Sequence, residues 1–379
     1  MPASTTIFVS VARELIAFMA ISAACSATVK AQSYTAVRLS TLGGGSCYAN
    51  AISSSGTVVG SSLTSSGATH AFSYSNGVMA DLGTLGGTSS VAYGVNASGT
   101  VVGESATAGG ATHAFSYSNG AMADLGTLGG GFSYAYGING SGTVVGESAT
   151  ASGHVHAFSY SNGVMTDLGT LGGSNSVATA INDSGTIVGW SYSAGNSAQE
   201  AFSYRNGTMA ALRGLGGANT QATAIDNSGT VVGWSDTSGE AQHAFSYSNG
   251  AMTDLGTLGG AYNFGSEAYG TNDSGVIVGD SWSNSDQSSL PFVYGGGKMS
   301  NLNSLVTLNG DSLEYAYGIN DNGQIIGQDG GGKSYLLTPI PAPAASDAPA
   351  MPLWALVGLG AALLIVGLKF IPARAARNT

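Results

Sequence analysis

Histidines recur at one position of this chain, and histidine is the side chain that most often binds transition metals. A repeated segment reading HAFSYSNG begins with a histidine in four copies: His70, His113, His156 and His243. We predict these residues on equivalent strands of different repeats, so they radiate outward and cannot meet at one metal ion. The predicted role is packing or a surface hydrogen bond.

His154 and His156 have a spacing that suits a metal pair, because residues i and i+2 of a strand point to the same side. No third ligand is evident for them in the sequence. The sequence therefore predicts no metal site and no cofactor, and His154 and His156 are the candidates should one exist.

Three residues in irregular segments are candidates for ligand binding. Asp311 and Glu314 lie in the segment 300–314, and Trp282 lies in the segment 280–290. Function in repeat proteins concentrates in such loops, and paired carboxylates can act as acid and base. Solvated loop acids are nevertheless common, and no nucleophile with a neighbouring base stands out. The sequence favours a protein without catalytic activity.

Aspartates also recur once per repeat, near the start of a loop, at Asp81, Asp124, Asp167 and Asp254. A calcium loop needs a denser array of Asp and Asn, so we interpret them as turn residues that bond to their own backbone. Gly-Gly pairs such as Gly86-Gly87 lack the Lys and the following helix of a phosphate-binding loop.

The elements that carry these residues form a sevenfold repeat. A glycine of the GTVVG-like segment recurs at spacings of 43 to 48 residues, at Gly56, Gly99, Gly142, Gly185, Gly229, Gly275 and Gly323. Each unit of about 43 residues contains two hairpins, one of them with an Asn-Gly turn. Four short strands in such a length match one blade of a β-propeller.

The phase of the repeat predicts a closed ring. The chain enters on Tyr34–Leu42, a lone copy of the fourth strand, and leaves on Ser334–Leu337, a lone copy of the third. Pairing the two completes a blade and leaves no orphan edge strand. We therefore predict an all-β fold, a seven-bladed β-propeller of four-stranded repeats closed by its N- and C-terminal strands. A β-solenoid is the alternative.

The same phase predicts the strand order within a blade: AYGIN innermost, then GTVVG, HAFSY and MTDLGTL. The innermost strand should carry small residues where neighbours crowd together. Two positions do so in all seven copies. The first is Ala49, Ala92, Ala135, Ala178, Ala222, Ala268 and Ala316, and the second is Ala51, Gly94, Gly137, Ala180, Ala224, Gly270 and Gly318.

Both ends of the chain resemble targeting segments. Residues 1–31 are predicted to be a signal peptide cleaved after Ala31, and the propeller is assigned to residues 32–340. A Pro/Ala linker, 341–352, precedes a transmembrane or sorting segment, 353–379, with 16 apolar residues from Leu353 to Leu368. Linker, apolar stretch and basic tail resemble a PEP-CTERM sorting signal, although the Pro-Glu-Pro motif is absent. A permanent membrane anchor is the alternative.

The charge of the chain limits its possible partners, and its cysteine content limits how the fold can be stabilised. The net charge is −11, and ten scattered Lys and Arg form no stripe that could follow a phosphate backbone, so no nucleic-acid partner is expected. The only cysteines are Cys25 and Cys47, and Cys25 lies in the predicted signal peptide. The mature protein would have no internal disulfide, and packing alone would stabilise it.

The segments His156–Gly173 and Ala180–Ser191 resemble the HAF family of bacterial extracellular repeats, and the resemblance covers about residues 34–340. The histidine is lost at Glu200, Leu290 and Lys333. The resemblance implies secretion and no particular activity. We expect a secreted or envelope protein, a non-enzymatic binding or structural module for a surface protein or glycan. The membrane contact is through the C-terminal segment, which sorting would remove. An enzyme acting on extracellular polysaccharide and a biofilm or matrix scaffold are the alternatives.

Overall fold

The computed structural model describes residues 32–259, 265–282 and 289–341. These contain short β-strands and two single-turn 3₁₀ helices, Ala194–Asn196 and Leu302–Ser304. The predicted all-β class is confirmed. The predicted signal peptide 1–31, most of the linker (342–352) and the segment 353–379 lie outside the described residues. Within the described ranges, no helix has the length and apolar character to cross a membrane.

The strands alternate with tight turns along the whole described chain. They are β1 (Tyr34–Arg38), β2 (Gly43–Ile52), β3 (Val58–Thr64), β4 (Thr69–Ser75), β5 (Val78–Asp81), β6 (Gly86–Val95), β7 (Val101–Thr107), β8 (Thr112–Ser118), β9 (Ala121–Asp124), β10 (Gly129–Ile138), β11 (Val144–Thr150), β12 (Val155–Ser161), β13 (Val164–Asp167), β14 (Gly172–Ile181), β15 (Ile187–Ser193), β16 (Gln199–Arg205), β17 (Thr208–Ala211), β18 (Gly216–Ile225), β19 (Val231–Thr237), β20 (Gln242–Ser248), β21 (Ala251–Asp254), β22 (Ser266–Thr271), β23 (Ile277–Trp282), β24 (Ser289–Gly295), β25 (Lys298–Asn301), β26 (Tyr315–Ile319), β27 (Ile325–Gln328) and β28 (Ser334–Pro339).

Each repeat forms four consecutive antiparallel strands, in the order β2-β3-β4-β5 and its equivalents. One parallel bridge between Phe132 and Thr112 joins two repeats, so β6 to β13 form one eight-stranded sheet. This order is the one predicted from the phase of the repeat. A solenoid would stack its strands in parallel between turns, whereas here the pairing lies within each repeat.

The last sheet combines both ends of the described chain, in the order β1-β28-β27-β26. β1 pairs antiparallel with β28, from Tyr34 opposite Pro339 to Arg38 opposite Tyr335. The backbone nitrogen of Ile340 also donates to the Ser33 carbonyl at 2.8 Å. The predicted pairing of the two ends is confirmed.

Consecutive sheets bury an apolar layer between them, and each layer repeats the same composition. Phe115, for example, packs with Val59, Ala71, Leu82 and Ala92. The equivalent phenylalanine is fully buried in six repeats, at Phe72, Phe115, Phe158, Phe202, Phe245 and Phe292. Burying a phenylalanine contributes about 1.5–3 kcal/mol, so these layers dominate the stability of the sheets.

The small residues of the first strands lie where neighbouring sheets approach most closely. The seven alanines of the first set are at most 2% exposed. A Cβ atom on Gly94 would lie 2.8 Å from the Tyr136 carbonyl oxygen of the next repeat, and one on Gly270 would lie 3.2 Å from the Cα of Gly318. The predicted crowding along the first strands is confirmed.

Asn-Gly dipeptides close the hairpins between the third and fourth strands. Asn76 and Gly77 have φ angles of 50° and 81°, and a type I′ turn requires positive φ at both positions. The predicted turn chemistry is confirmed, and it places the HAFSY segment directly beside the fourth strand.

Candidate functional site

A β-bulge interrupts the first strand of every repeat. In β6, the register against β7 shifts between Ala92 and Gly94, so Tyr93 is the extra residue. The same shift occurs in all seven first strands. The extra residues, called the bulge residues below, are Asn50, Tyr93, Tyr136, Thr179, Thr223, Tyr269 and Tyr317.

Six bulge residues from six different repeats line one cavity of about 400 Å³, called the bulge cavity below. Its wall is completed by Glu147, Val177, Trp190 and Gln221. Such a volume and an aromatic lining with a few polar groups are typical of a small-ligand site. The bulges therefore bring together side chains that are about 43 residues apart in sequence.

The second-strand position that brings Glu147 and Trp190 to the cavity differs between repeats, although the repeats are otherwise nearly uniform. One position on the second strand carries five residue types: Ser61, Glu104, Glu147, Trp190, Trp234, Asp280 and Gln328. Each lies directly opposite a variable residue of the first strand, as Glu147 lies opposite Tyr134. Packing between identical sheets does not require this variety. These residues were not predicted from the sequence, because the prediction relied on residues that all copies share. The positions that vary between copies were the available signal.

Two tyrosine–glutamate pairs occupy neighbouring repeats on one side of this region. The hydroxyl of Tyr93 donates to Glu104 Oε1 at 3.1 Å, and that of Tyr136 donates to Glu147 Oε1 at 2.7 Å. The two tyrosine rings lie 5.4 Å apart between centroids. Burial raises the pKa of both glutamates, while the tyrosine hydrogen bonds oppose the rise.

A second acidic group lies in the sixth repeat. The Tyr269 hydroxyl donates to Glu267 Oε2 at 2.9 Å, and the Tyr269 ring lies 5.4 Å from that of Tyr317, which lines the cavity. Asp280 is 1% exposed, contacts the Ser289 hydroxyl, and its Oδ1 has no hydrogen-bond partner among the described residues. Burial raises the pKa of Asp280 to about 6, and the charge of Glu267 adds to the rise.

A second cavity, of about 240 Å³, is lined by residues from all seven repeats. It is surrounded by a series of side-chain amides that bond across neighbouring sheets, called the Asn belt below. Asn96 Nδ2 donates to the Asn139 carbonyl at 3.1 Å, and Asn139 Nδ2 donates to that of Asn182 at 3.2 Å. The equivalent residues are Ser53, Asn96, Asn139, Asn182, Asp226, Asn272 and Asn320. Five of the seven are asparagine, and this near-uniformity indicates a structural role.

The repeated histidines pair with the repeated aspartates. His70 Nδ1 lies 2.9 Å from the Asp81 carboxylate, and His113, His156 and His243 make the same contact with Asp124, Asp167 and Asp254. The aspartates also accept a backbone hydrogen bond two residues on, as Asp81 does from Gly83 at 2.8 Å, which confirms the predicted turn. The sequence also signals this pairing, because the two residues are lost together. In the fourth repeat, Glu200 replaces the histidine and Ala211 replaces the aspartate.

His154 and His156 stack, with ring centroids 6.5 Å apart, and His156 bonds to Asp167 at 2.8 Å. In the part of the chain that the structure describes, no three His, Cys, Asp or Glu side chains are grouped to hold a metal ion. His156 lies on β12, the third strand of its repeat, and His154 directly precedes that strand, so β11 separates them from β10 and its bulge residue Tyr136.

The three loop candidates have other partners. Asp311 accepts hydrogen bonds from Lys333 Nζ at 2.6 Å and from the Tyr335 hydroxyl at 2.5 Å, which lower its pKa. The Glu314 carboxylate lies against Gly330, and the Trp282 ring lies against Gly265. Since Asp311 is held ionised by its partners, it is poorly suited to donate a proton. None of the three lines the bulge cavity.

No family model matches the chain, and no curated protein matches it. Its fold is similar to several solved structures at low identity. A virginiamycin B lyase from Staphylococcus aureus is 14% identical, covering 82% of this chain and 100% of its own, with a TM-score of 0.49. The β-propeller domain of the Trilobed protease from Pyrococcus furiosus is 7% identical, covering 75% and 91%, with a TM-score of 0.47.

TolB from Acinetobacter baumannii is 10% identical, with a TM-score of 0.43. The match covers 75% of this chain and 63% of TolB, so this chain spans less than two thirds of that protein. These similarities concern the fold alone and transfer no activity.

Proposed function

We propose that this chain is a non-enzymatic binding module, secreted or held at the cell envelope, that takes up a ligand in the bulge cavity of a seven-bladed β-propeller. The location rests on the signal-like and sorting-like segments at the two ends. The partner is a component of the cell surface or its surroundings, a glycan or a protein, that presents a group small enough for a cavity of about 400 Å³.

Closure into a ring is supported by contacts between the first strands. β2 contacts β6, and the series continues through β10, β14, β18, β22 and β26, which contacts β2 again. Asn320 Nδ2 also donates to the Ser53 carbonyl at 3.0 Å, as neighbouring members of the Asn belt do elsewhere. Each of the seven repeats would then be one blade.

Binding in the cavity is supported by one observation above all: the repeats diverge where they line it. Trp190 and Gln221 replace residues that are Glu147 and Tyr134 in the third repeat, within sheets whose cores are nearly identical. A scaffold that stabilised only itself would gain nothing from this difference. Unlike side chains around one cavity suit a ligand without sevenfold symmetry.

The ring is tested by deleting residues 32–42, which removes β1. If β1 completes the last blade, the deletion abolishes cooperative urea unfolding, because β28 and the adjoining core lose their partner. Cooperative unfolding with little loss of stability would contradict closure.

Binding is tested by screening monosaccharides, amino acids, amines and short peptides for a rise in melting temperature. Any ligand of the cavity should lose affinity when Trp190→Ala removes an aromatic wall. Trp282→Ala, outside the cavity, is the matched control. Ligands that bind equally to both variants would contradict the assignment of the site, and a screen without any ligand would contradict the proposed function.

A further inference from the structure

We propose that the ligand of the bulge cavity carries an organic ammonium group, which is held between the aromatic rings and the carboxylates of Glu104 and Glu147. This inference rests on the proposed function and names the chemical class of its ligand.

The cavity presents the kind of wall that attracts cations. Tyr93, Tyr136, Trp190 and Tyr317 all line it. The negative faces of tyrosine and tryptophan rings attract a cation within about 6 Å, and most strongly where water is excluded. All four of these side chains are half-buried. A cavity built in this way favours a cation that has an apolar body.

The charge in this region is negative and has no basic partner within the described ranges. Glu147 lines the cavity, and Glu104 adjoins it through Tyr93, whose ring contacts Tyr136. Each carboxylate accepts only a neutral tyrosine hydroxyl, which leaves acceptor capacity on both oxygens. None of the described Lys and Arg residues lines the cavity or contacts Glu104. These residues are Arg38, Arg205, Arg213, Lys298 and Lys333. A bound cation would supply the missing countercharge.

The donors distinguish an organic cation from a metal ion. Calcium and magnesium require six or more oxygen ligands, and aromatic rings cannot provide them. An ammonium group instead donates hydrogen bonds to carboxylates and places its carbon atoms against the rings. The rings and the two glutamates together therefore select an amine.

The test uses the full chain and a pair of probes matched in size, putrescine and 1,4-butanediol. Putrescine should raise the melting temperature and change tryptophan emission, while the uncharged diol should do neither. Glu147→Gln keeps an acceptor for Tyr136 but removes the charge, and should weaken putrescine binding by at least about tenfold, because a hydrogen bond to a charged group is stronger than one to a neutral group. Glu200→Gln, on an outer strand, should leave the affinity unchanged.

A second variant guards against a folding defect. Glu104→Gln, in the neighbouring repeat, should weaken putrescine binding in the same sense, and both glutamine variants should show a native melting transition without ligand. Equal binding of putrescine and the diol, or equal affinity in Glu147→Gln and wild type, would overturn the inference. Binding of a neutral sugar alone would also overturn it, yet would leave the proposed function standing.

Discussion

The hydroxyl of Ser334 lies 2.9 Å from the backbone nitrogen of Ala49 and accepts its hydrogen bond, although 285 residues separate the two. The same hydroxyl donates to the Cys47 carbonyl at 2.9 Å. Between four other pairs of repeats, a first-strand serine supplies the hydroxyl, as Ser133 does for the nitrogen of Ala114 at 2.8 Å. At the contact between the last and first sheets, Cys47 stands in the place of that serine, and the hydroxyl has moved to the facing strand.

Replacing Ser334 with alanine should destabilise the protein. Ser334→Ala leaves a buried N–H without a partner, so the free energy of unfolding should fall by about 1–2 kcal/mol in urea titrations. Ser118→Ala, at an exposed position of β8, is the control. Adding Cys47→Ser to Ser334→Ala restores the arrangement of the other repeats and should recover part of the loss. No change in Ser334→Ala would contradict this account.

Replacing Asp226 with asparagine should stabilise the protein. Asp226 is 5% exposed, and its Oδ2 has no hydrogen-bond partner among the described residues, in a belt where Asn182 and Asn272 donate at 3.0 Å. Asp226→Asn supplies an N–H that can reach the carbonyl of Asn272. The free energy of unfolding should rise by about 1 kcal/mol.

The reverse change tests the same reasoning. Asn182→Asp removes the donor to the Asp226 carbonyl and should destabilise by about 1–2 kcal/mol. If both variants shift stability in the same direction, the Asn belt does not act through these hydrogen bonds.

Asp280 should make stability fall as pH rises. Burial raises its pKa from 3.8 to about 6, so the folded state holds the proton more tightly than the unfolded state. This contribution is complete below about pH 4 and is lost as pH rises through about 6, an effect on the order of 3 kcal/mol. Asp280→Asn should match wild type near pH 4 and exceed it at pH 7 in urea unfolding.

Asp311 gives a control of opposite sign. Hydrogen bonds from Lys333 and Tyr335 lower its pKa, so its contribution appears above pH 4 and is lost as pH falls. Asp311→Asn should therefore remove stability at pH 7 and little at low pH. Parallel pH profiles for the two variants would contradict the assignment.

The missing histidine–aspartate pair of the fourth repeat can be rebuilt. Glu200 and Ala211 occupy the positions of His70 and Asp81, on strands with the same register. Glu200→His or Ala211→Asp alone should change stability little, because these positions are exposed or half-buried. Together they should show a favourable coupling of about 0.5 kcal/mol in a double-mutant cycle. A coupling of zero would show that the pairs elsewhere contribute nothing.

The three loop candidates and the residues of the bulge cavity differ in how they appear in the sequence. Asp311, Glu314 and Trp282 drew attention because they break the repeat, yet Asp311 is engaged by Lys333 and Tyr335, and none of the three lines the bulge cavity. The break in the repeat at these residues indicated an insertion between strands. The residues that line the cavity lie within the repeated strands, at positions where the copies carry different side chains.

The sequence by itself determined the repeat, the strand order, the turns and the pairing of β1 with β28. Each is encoded locally, by alternating side chains, Asn-Gly dipeptides and the phase at which the chain begins and ends. Only the tertiary structure decided which residues meet, as Tyr93 meets Tyr136 and Ser334 meets Ala49. It also decided that Asp226 occupies the position in the Asn belt where a side-chain donor is missing. These contacts depend on bulges and on the spacing between sheets, which arise from packing across repeats that are about 43 or more residues apart.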